Sequence, residues 1–139
     1  MRANDFLLHV ADKALSWQRA DGSFPPGHNG PYHDPETPVR NSGHWLIVFS
    51  RCYSLNGDTK YKDAIHRIAK YLTSKEARPE GFAFFHRKSP PKDRCNGLIG
   101  PAWTIESLVE ASTVLEDDQY ARIANDHCSF SRSMNPCSL

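Results

Sequence analysis

Two stretches of this chain are apolar around most of a helical circumference, and each is followed by a short turn and a helix that is apolar on one side only. In SGHWLIVFSRCYSL, residues 42–55, the positions Trp45, Leu46, Ile47, Val48, Phe49, Cys52, Tyr53 and Leu55 leave little room for a polar face, a pattern that requires burial on most sides. Residues 59–74 differ. Tyr61, Ala64, Ile65, Ile68, Ala69 and Leu72 recur at helical spacing with Lys60, Lys62, Asp63, Arg67 and Lys70 opposite, as in a helix lying on a surface. The pair then recurs: PAWTIESLVEASTVL (101–115) is of the buried type, and DDQYARIANDHC (117–128), with Tyr120, Ile123, Ala124 and His127, is of the surface type. Asp58 and Tyr61 correspond to Asp117 and Tyr120, both 59 positions on. A first surface helix over 5–18 carries Phe6, Leu7, Val10, Ala11, Ala14 and Leu15 on one stripe.

Short turns and long loops alternate between these helices. The loops 20–41 and 76–100 are rich in proline and glycine, and ordered loops longer than about 12–15 residues are usually functional. If every buried helix begins at a long loop and ends at a short turn, both loops lie at one end of parallel buried helices, and function belongs on that loop face. The predicted fold class is all-α: alternating inner and outer antiparallel helices forming an open helical-repeat arc or an incomplete ring. Residues 1–127 are predicted as one domain of about five helices, and 128–139 as an irregular tail, because CSFSRSMNPCSL breaks the helical periodicity.

Several function classes are disfavoured. Seventeen basic and sixteen acidic residues leave a net charge of +1, with no Lys/Arg run fit to follow a phosphate backbone, so nucleic acid is not expected. Nothing approaches the roughly 18 apolar residues of a membrane span. The N-terminus lacks a signal-peptide core, which predicts a cytoplasmic protein. Cys52 lies in an apolar pattern and reads as a buried thiol. Cys95, Cys128 and His127 could form a zinc site on paper, but the usual close ligand pairs are missing; neither metal nor cofactor is expected. Phosphate-loop, zincin, kinase and nucleophile-elbow signatures are absent from the sequence.

The helix alternation is joined by two short motifs. QRADGSF (18–24) is similar to the Q-x-x-D-G-x-aromatic turn of α/α toroids, including terpenoid cyclases, and NGDTKYKDA (56–64) to the helix-pair turn of bacterial six-hairpin proteins. Over residues 5–127 the chain thus resembles the α/α toroids, in particular the six-hairpin glycosidase-like superfamily. No DxDD or DDxxD motif supports a cyclase. The resemblance implies an incomplete toroid, since a full ring has twelve helices. Its inner face would expose Trp45, Phe49, Trp103 and Leu108, an area of a kind monomers avoid. Self-association, the remainder of a longer chain, or truncation would account for it.

The resemblance also implies a carbohydrate-active enzyme, a glycan hydrolase, lyase or sugar epimerase working by general acid/base chemistry on the loop face. The candidate catalytic residues are Glu106, Asp34, Asp93 and His44, because glycoside cleavage needs carboxylates about 5–10 Å apart and an imidazole near a helix N-terminus tends to be neutral. Trp45 and Trp103, in the first turns of the two buried helices, with Tyr32 and Phe24, would form a platform for sugar rings. Arg40 and Arg87 would grip a uronate carboxylate, and Asn96 would line the site. Asn41 reads as the cap of the first buried helix. The alternative is a non-catalytic helical-repeat module that binds a peptide or protein through Trp45 and Trp103.

Overall fold

The computed structural model describes residues 2–29, 34–88 and 93–133. The fold is all-α: α1 (Ala3–Leu15), α2 (Val39–Asn56), α3 (Thr59–Leu72), α4 (Ile99–Leu115) and α5 (Asp118–Ser133). Two short strands, β1 (His28–Asn29) and β2 (Asp34–Pro35), pair antiparallel within the first long loop. Among the described residues, no helix is long and apolar enough to cross a membrane.

The repeat is realised in backbone conformation. Gly57 ends α2 at φ 70° with its N–H on the Tyr53 carbonyl at 2.7 Å, and Glu116, 59 positions later, ends α4 in the same left-handed region at φ 55°. A non-glycine residue there costs about 1–2 kcal/mol. Asp58 and Asp117 each take the next role, accepting from the backbone N–H two residues on, at 3.1 Å from Lys60 and 3.0 Å from Gln119. These carboxylates satisfy N–H groups that a helix start otherwise leaves without partners.

Three boundaries differ from the sequence expectation. α2 begins at Val39 with Pro38 at its cap, so Asn41 lies inside the helix and its side-chain amide instead donates to the Pro25 carbonyl at 2.8 Å. α4 begins at Ile99. Pro101 is tolerated in its first turn because N–H groups there have no intrahelical acceptor. α5 runs to Ser133, beyond the boundary at residue 127, since serines are only mildly unfavourable in a helix.

Contacts order the helices. Arg40 and His44 meet Trp103, Gly43 meets Ser107, and Ser50 meets Glu110, so α2 and α4 run parallel, side by side. α3 returns antiparallel to α2, stacking Tyr61 on Phe49 with centroids 5.9 Å apart. α1 packs against α2, and side chains from the start of α3 reach it: the Tyr61 hydroxyl donates to Asp12 at 2.6 Å and Lys60 pairs with the same carboxylate at 2.9 Å. Leu46, Phe49, Ile65, Ile68, Leu72 and Leu108 are fully enclosed between them. Each such side chain contributes about 1.5–3 kcal/mol of burial.

The motif QRADGSF is accounted for by this packing. Gln18 donates from Nε2 to the carbonyls of Gly22 and Ala64, both at 3.1 Å, which ties the exit of α1 to α3. Asp21 accepts from the Ser23 N–H at 2.9 Å, and Phe24 enters the core. Gly22 has φ 88°, and a Cβ on it would run into the Arg67 carbonyl of α3. Gly81 has a similar φ of 80° with open space around it. Gly22→Ala should therefore cost about 2–4 kcal/mol in urea unfolding, and Gly81→Ala only the conformational 1–2 kcal/mol. Equal losses would show that the approach to α3 does not matter.

Candidate functional site

The two long loops meet at the start of α2 and α4, as the alternation of turns and loops predicts. Thr37 N–H donates to the His86 carbonyl at 2.9 Å and Lys88 N–H to Pro35 at 3.1 Å, while His86 and Arg87 both donate to Arg94, at 2.7 and 3.0 Å. Glu36 faces Arg87 across an isolated antiparallel bridge. The second loop is turned tightly by Asp93, whose carboxylate accepts from Cys95 N–H at 2.9 Å and from Gly97 N–H. Asn96 and Gly97 follow with φ of 63° and 62°. Gly100 is needed where the loop enters α4, because a Cβ there would strike the Cys95 carbonyl.

On this scaffold Trp103, half-buried, is the centre of a cluster. The Arg40 guanidinium lies 5.9 Å from its ring centroid, within cation–π range. The His44 ring stands edge-on at 5.2 Å and the His86 ring at 6.2 Å. Arg40 is oriented by Glu36, four residues earlier in the loop that leads into α2, at 2.7 Å. Glu36 is buried, so this pair is held out of water, where geometry rather than net energy is its main contribution.

The two imidazoles are tuned by their surroundings. Partial shielding from water, then the positive charge of Arg40, holds the His44 pKa below the ordinary imidazole value, with Glu106 pulling it back. His44 is therefore neutral at pH 7. His86 is enclosed, and burial, followed by His127 and Arg40, pushes its pKa down to about 4. Its Nε2 lies 3.2 Å from Thr104 Oγ1, which itself donates to the Gly100 carbonyl. With the single hydroxyl proton of Thr104 used there, Nε2–H of His86 is the donor and Nδ1 the bare acceptor. Among the described residues, Nδ1 has no hydrogen-bond partner.

The residues selected from sequence divide clearly. Arg40, His44 and Trp103 come together, with Arg87 in the adjoining bridge. Trp45 does not join them: it stacks on Phe24 at 5.5 Å and Phe49 at 5.7 Å and meets Trp17 edge-on at 6.1 Å, in a separate aromatic cluster that encloses Phe24. By the 59-residue offset, the counterpart of Trp103 is His44. Trp45 is one residue further on, rotated by about 100° around the helix. Both tryptophans lie in the second helical turn, because α2 and α4 start earlier than expected. Asp93 and Asn96 shape the loop backbone. Asp34 is buried in β2, and Glu106 is exposed on α4. Tyr32 lies outside the described residues. Cys95 is disulfide-bonded, and His127 Nδ1 donates to the Phe82 carbonyl at 2.8 Å, so the paper zinc site does not form. Among the described residues, no group of three or more metal-ligating side chains gathers.

Glu36 and His86 are the members that sequence reasoning did not select. One signal was present: His86 ends FAFFH, an apolar run that draws its histidine inward; Glu36 meets Arg40 from the loop before α2, through the bridge to Arg87 and not through helical spacing.

The buried imidazole makes stability depend on pH. An unfolded chain protonates His86 below about pH 6.5, whereas the folded chain refuses the proton until about pH 4. The contribution is complete above pH 6.5 and should be lost progressively toward pH 4, by about 3 kcal/mol. Urea unfolding across this range should show that decline. In His86→Gln the decline should be shallower, with the contributions of His44 and His127, both also held below the ordinary imidazole value chiefly by burial, remaining. An unchanged slope would contradict the assignment.

No protein-family profile matches the chain, and no solved structure matches it. It is 49% identical over 123 residues to archaeal glycosylation protein Q of Haloferax volcanii; the match takes in 88% of this chain and 33% of that relative. The chain therefore spans about a third of the relative's length. This similarity, to a protein named for glycosylation, overturns the expectation of a glycan hydrolase, lyase or epimerase.

Proposed function

We propose that this chain serves in a glycosylation pathway and that its loop face recognises a saccharide there. The observation that carries this reading is the 49% identity, over 88% of the chain, to a protein named for glycosylation. The cluster around Trp103 is chemically suited to the role. A half-buried indole offers an apolar face on which the C–H face of a sugar ring can rest. Arg40, fixed by Glu36, and neutral His44 stand at its margin as hydrogen-bonding groups for hydroxyls or a carboxylate. Trp45 and Phe24 have no part, being packed into the core cluster.

Two measurements test this. Disruption of the coding sequence in its host should remove or shorten the glycans on that host's glycoproteins, read by mass spectrometry of glycopeptides; unaltered glycans would refute the pathway assignment. In the chain itself, titration with methyl glucoside and with glucuronate should move the Trp103 indole N–H resonance while Trp17 and Trp45 stay in place. Trp103→Leu should weaken binding about tenfold or more, the loss of one well-stacked ring. Movement of Trp45 instead would place recognition elsewhere.

A further inference from the structure

The second helical unit repeats a tyrosine of the first without its partner. In the first unit the Tyr61 hydroxyl donates to Asp12 at 2.6 Å, and the Lys60 ammonium lies 2.9 Å from both Asp12 and Asp58, so a carboxylate and an ammonium sit together at the start of α3. Moved 59 positions along the chain, Asp58 and Tyr61 become Asp117 and Tyr120, but Lys60 becomes Gln119 and Asp12 becomes Tyr71. Tyr120 is only 3% exposed, and among the described residues nothing accepts from its hydroxyl. It lines a cavity of about 270 Å³, together with Lys62, Asp63 and His66 of α3 and with Leu115 and Asp117 at the α4–α5 turn. Among the described residues Lys62 is in no ion pair; its ammonium stands 5.9 Å from the Tyr53 ring centroid. Leu115 is twelve residues beyond Trp103 on α4, about 18 Å along the helix, so this cavity is separate from the loop face.

We propose that this cavity binds a small zwitterion, an α-amino acid, whose carboxylate and ammonium take the roles that Asp12 and Lys60 have in the first unit. The ligand carboxylate accepts from the Tyr120 hydroxyl and pairs with Lys62, and the ligand ammonium lies between Asp63 and Asp117. Burial, then the charge of Asp117, holds the Tyr120 phenol above its ordinary pKa, so it keeps its proton and donates at neutral pH. Two carboxylates beside a lysine on one small lining disfavour a simple anion or a simple cation, because either would meet a group of its own sign. The volume is just below the roughly 300–1,000 Å³ of cavities that hold drug-sized ligands, which suits one small molecule and not an oligosaccharide. The site does not rest on what the loop face recognises.

The test is an NMR titration of the 139-residue chain with the common α-amino acids, one at a time, and with acetate and methylammonium as the two halves of the ligand taken separately. At least one amino acid should move the Tyr120 ring and His66 imidazole resonances saturably, and should bind more tightly than acetate or methylammonium. Tyr120→Phe keeps the ring in the core; read from His66, it should weaken that binding about tenfold or more, the loss of one hydrogen bond to a charged group. Tyr61→Phe, whose hydroxyl is already engaged by Asp12, should leave the affinity unchanged. No saturable movement with any amino acid overturns the proposal. Acetate binding as tightly as every amino acid overturns it too, because the site is then one for a carboxylate alone, and so does an affinity that is the same in Tyr120→Phe as in the parent chain.

Discussion

Everything on the loop face depends on how closely α2 and α4 approach. Gly43 has no side chain to hold the helices apart, and Ser107 turns its hydroxyl back to the Trp103 carbonyl at 2.7 Å, so the two backbones can come together. That approach brings Trp103 against Arg40 and His44 on one side of the crossing and Ser50 against Glu110 on the other. Larger residues at the crossing would separate the helices by a few ångströms, and a cation–π contact at 5.9 Å does not survive such a change.

The loops complete what the helices begin. Main-chain bonds between residues 35–37 and 86–88 fix the two loops to one another, and the Glu36 carboxylate, buried in that junction, aims Arg40 at the indole. Below them His86 stays neutral because it is enclosed. A polar ligand approaching Trp103 therefore meets a fixed cation, a neutral imidazole at the surface and a second imidazole beneath. A surface with these groups already in place loses less side-chain freedom on binding.

Much of this architecture is written in local pattern. The contrast between the fully apolar 42–55 and the one-sided 59–74, and the repeated Asp58 and Asp117 caps, follow from periodicity and capping chemistry that any stretch of helix obeys. The loop face was legible because turns and long loops alternate. The membership of the site was less so. Trp45 and Trp103 look equivalent by position, but a shift of one residue rotates a side chain by about 100°, enough to send Trp45 into the core with Phe24. Asp93 looks like any loop carboxylate until its bonds to Cys95 and Gly97 N–H show it closing a turn. His86 acquires its character only from burial by α4, contact that lies 18 residues away in sequence. The degradative chemistry expected from resemblance belonged to no residue pattern in the chain, and the similarity to a glycosylation protein corrected it.

The central claim is that the α2–α4 crossing assembles the Trp103 cluster, and the titration of His44 followed by NMR in the parent chain and in Gly43→Leu tests it most directly. In the parent, His44 should titrate below the ordinary imidazole value of about 6.5. In Gly43→Leu, whose added side chain meets Ser107, it should return to that value while the circular dichroism stays helical. An unchanged His44 titration in a variant that remains folded would show that the cluster does not depend on the crossing.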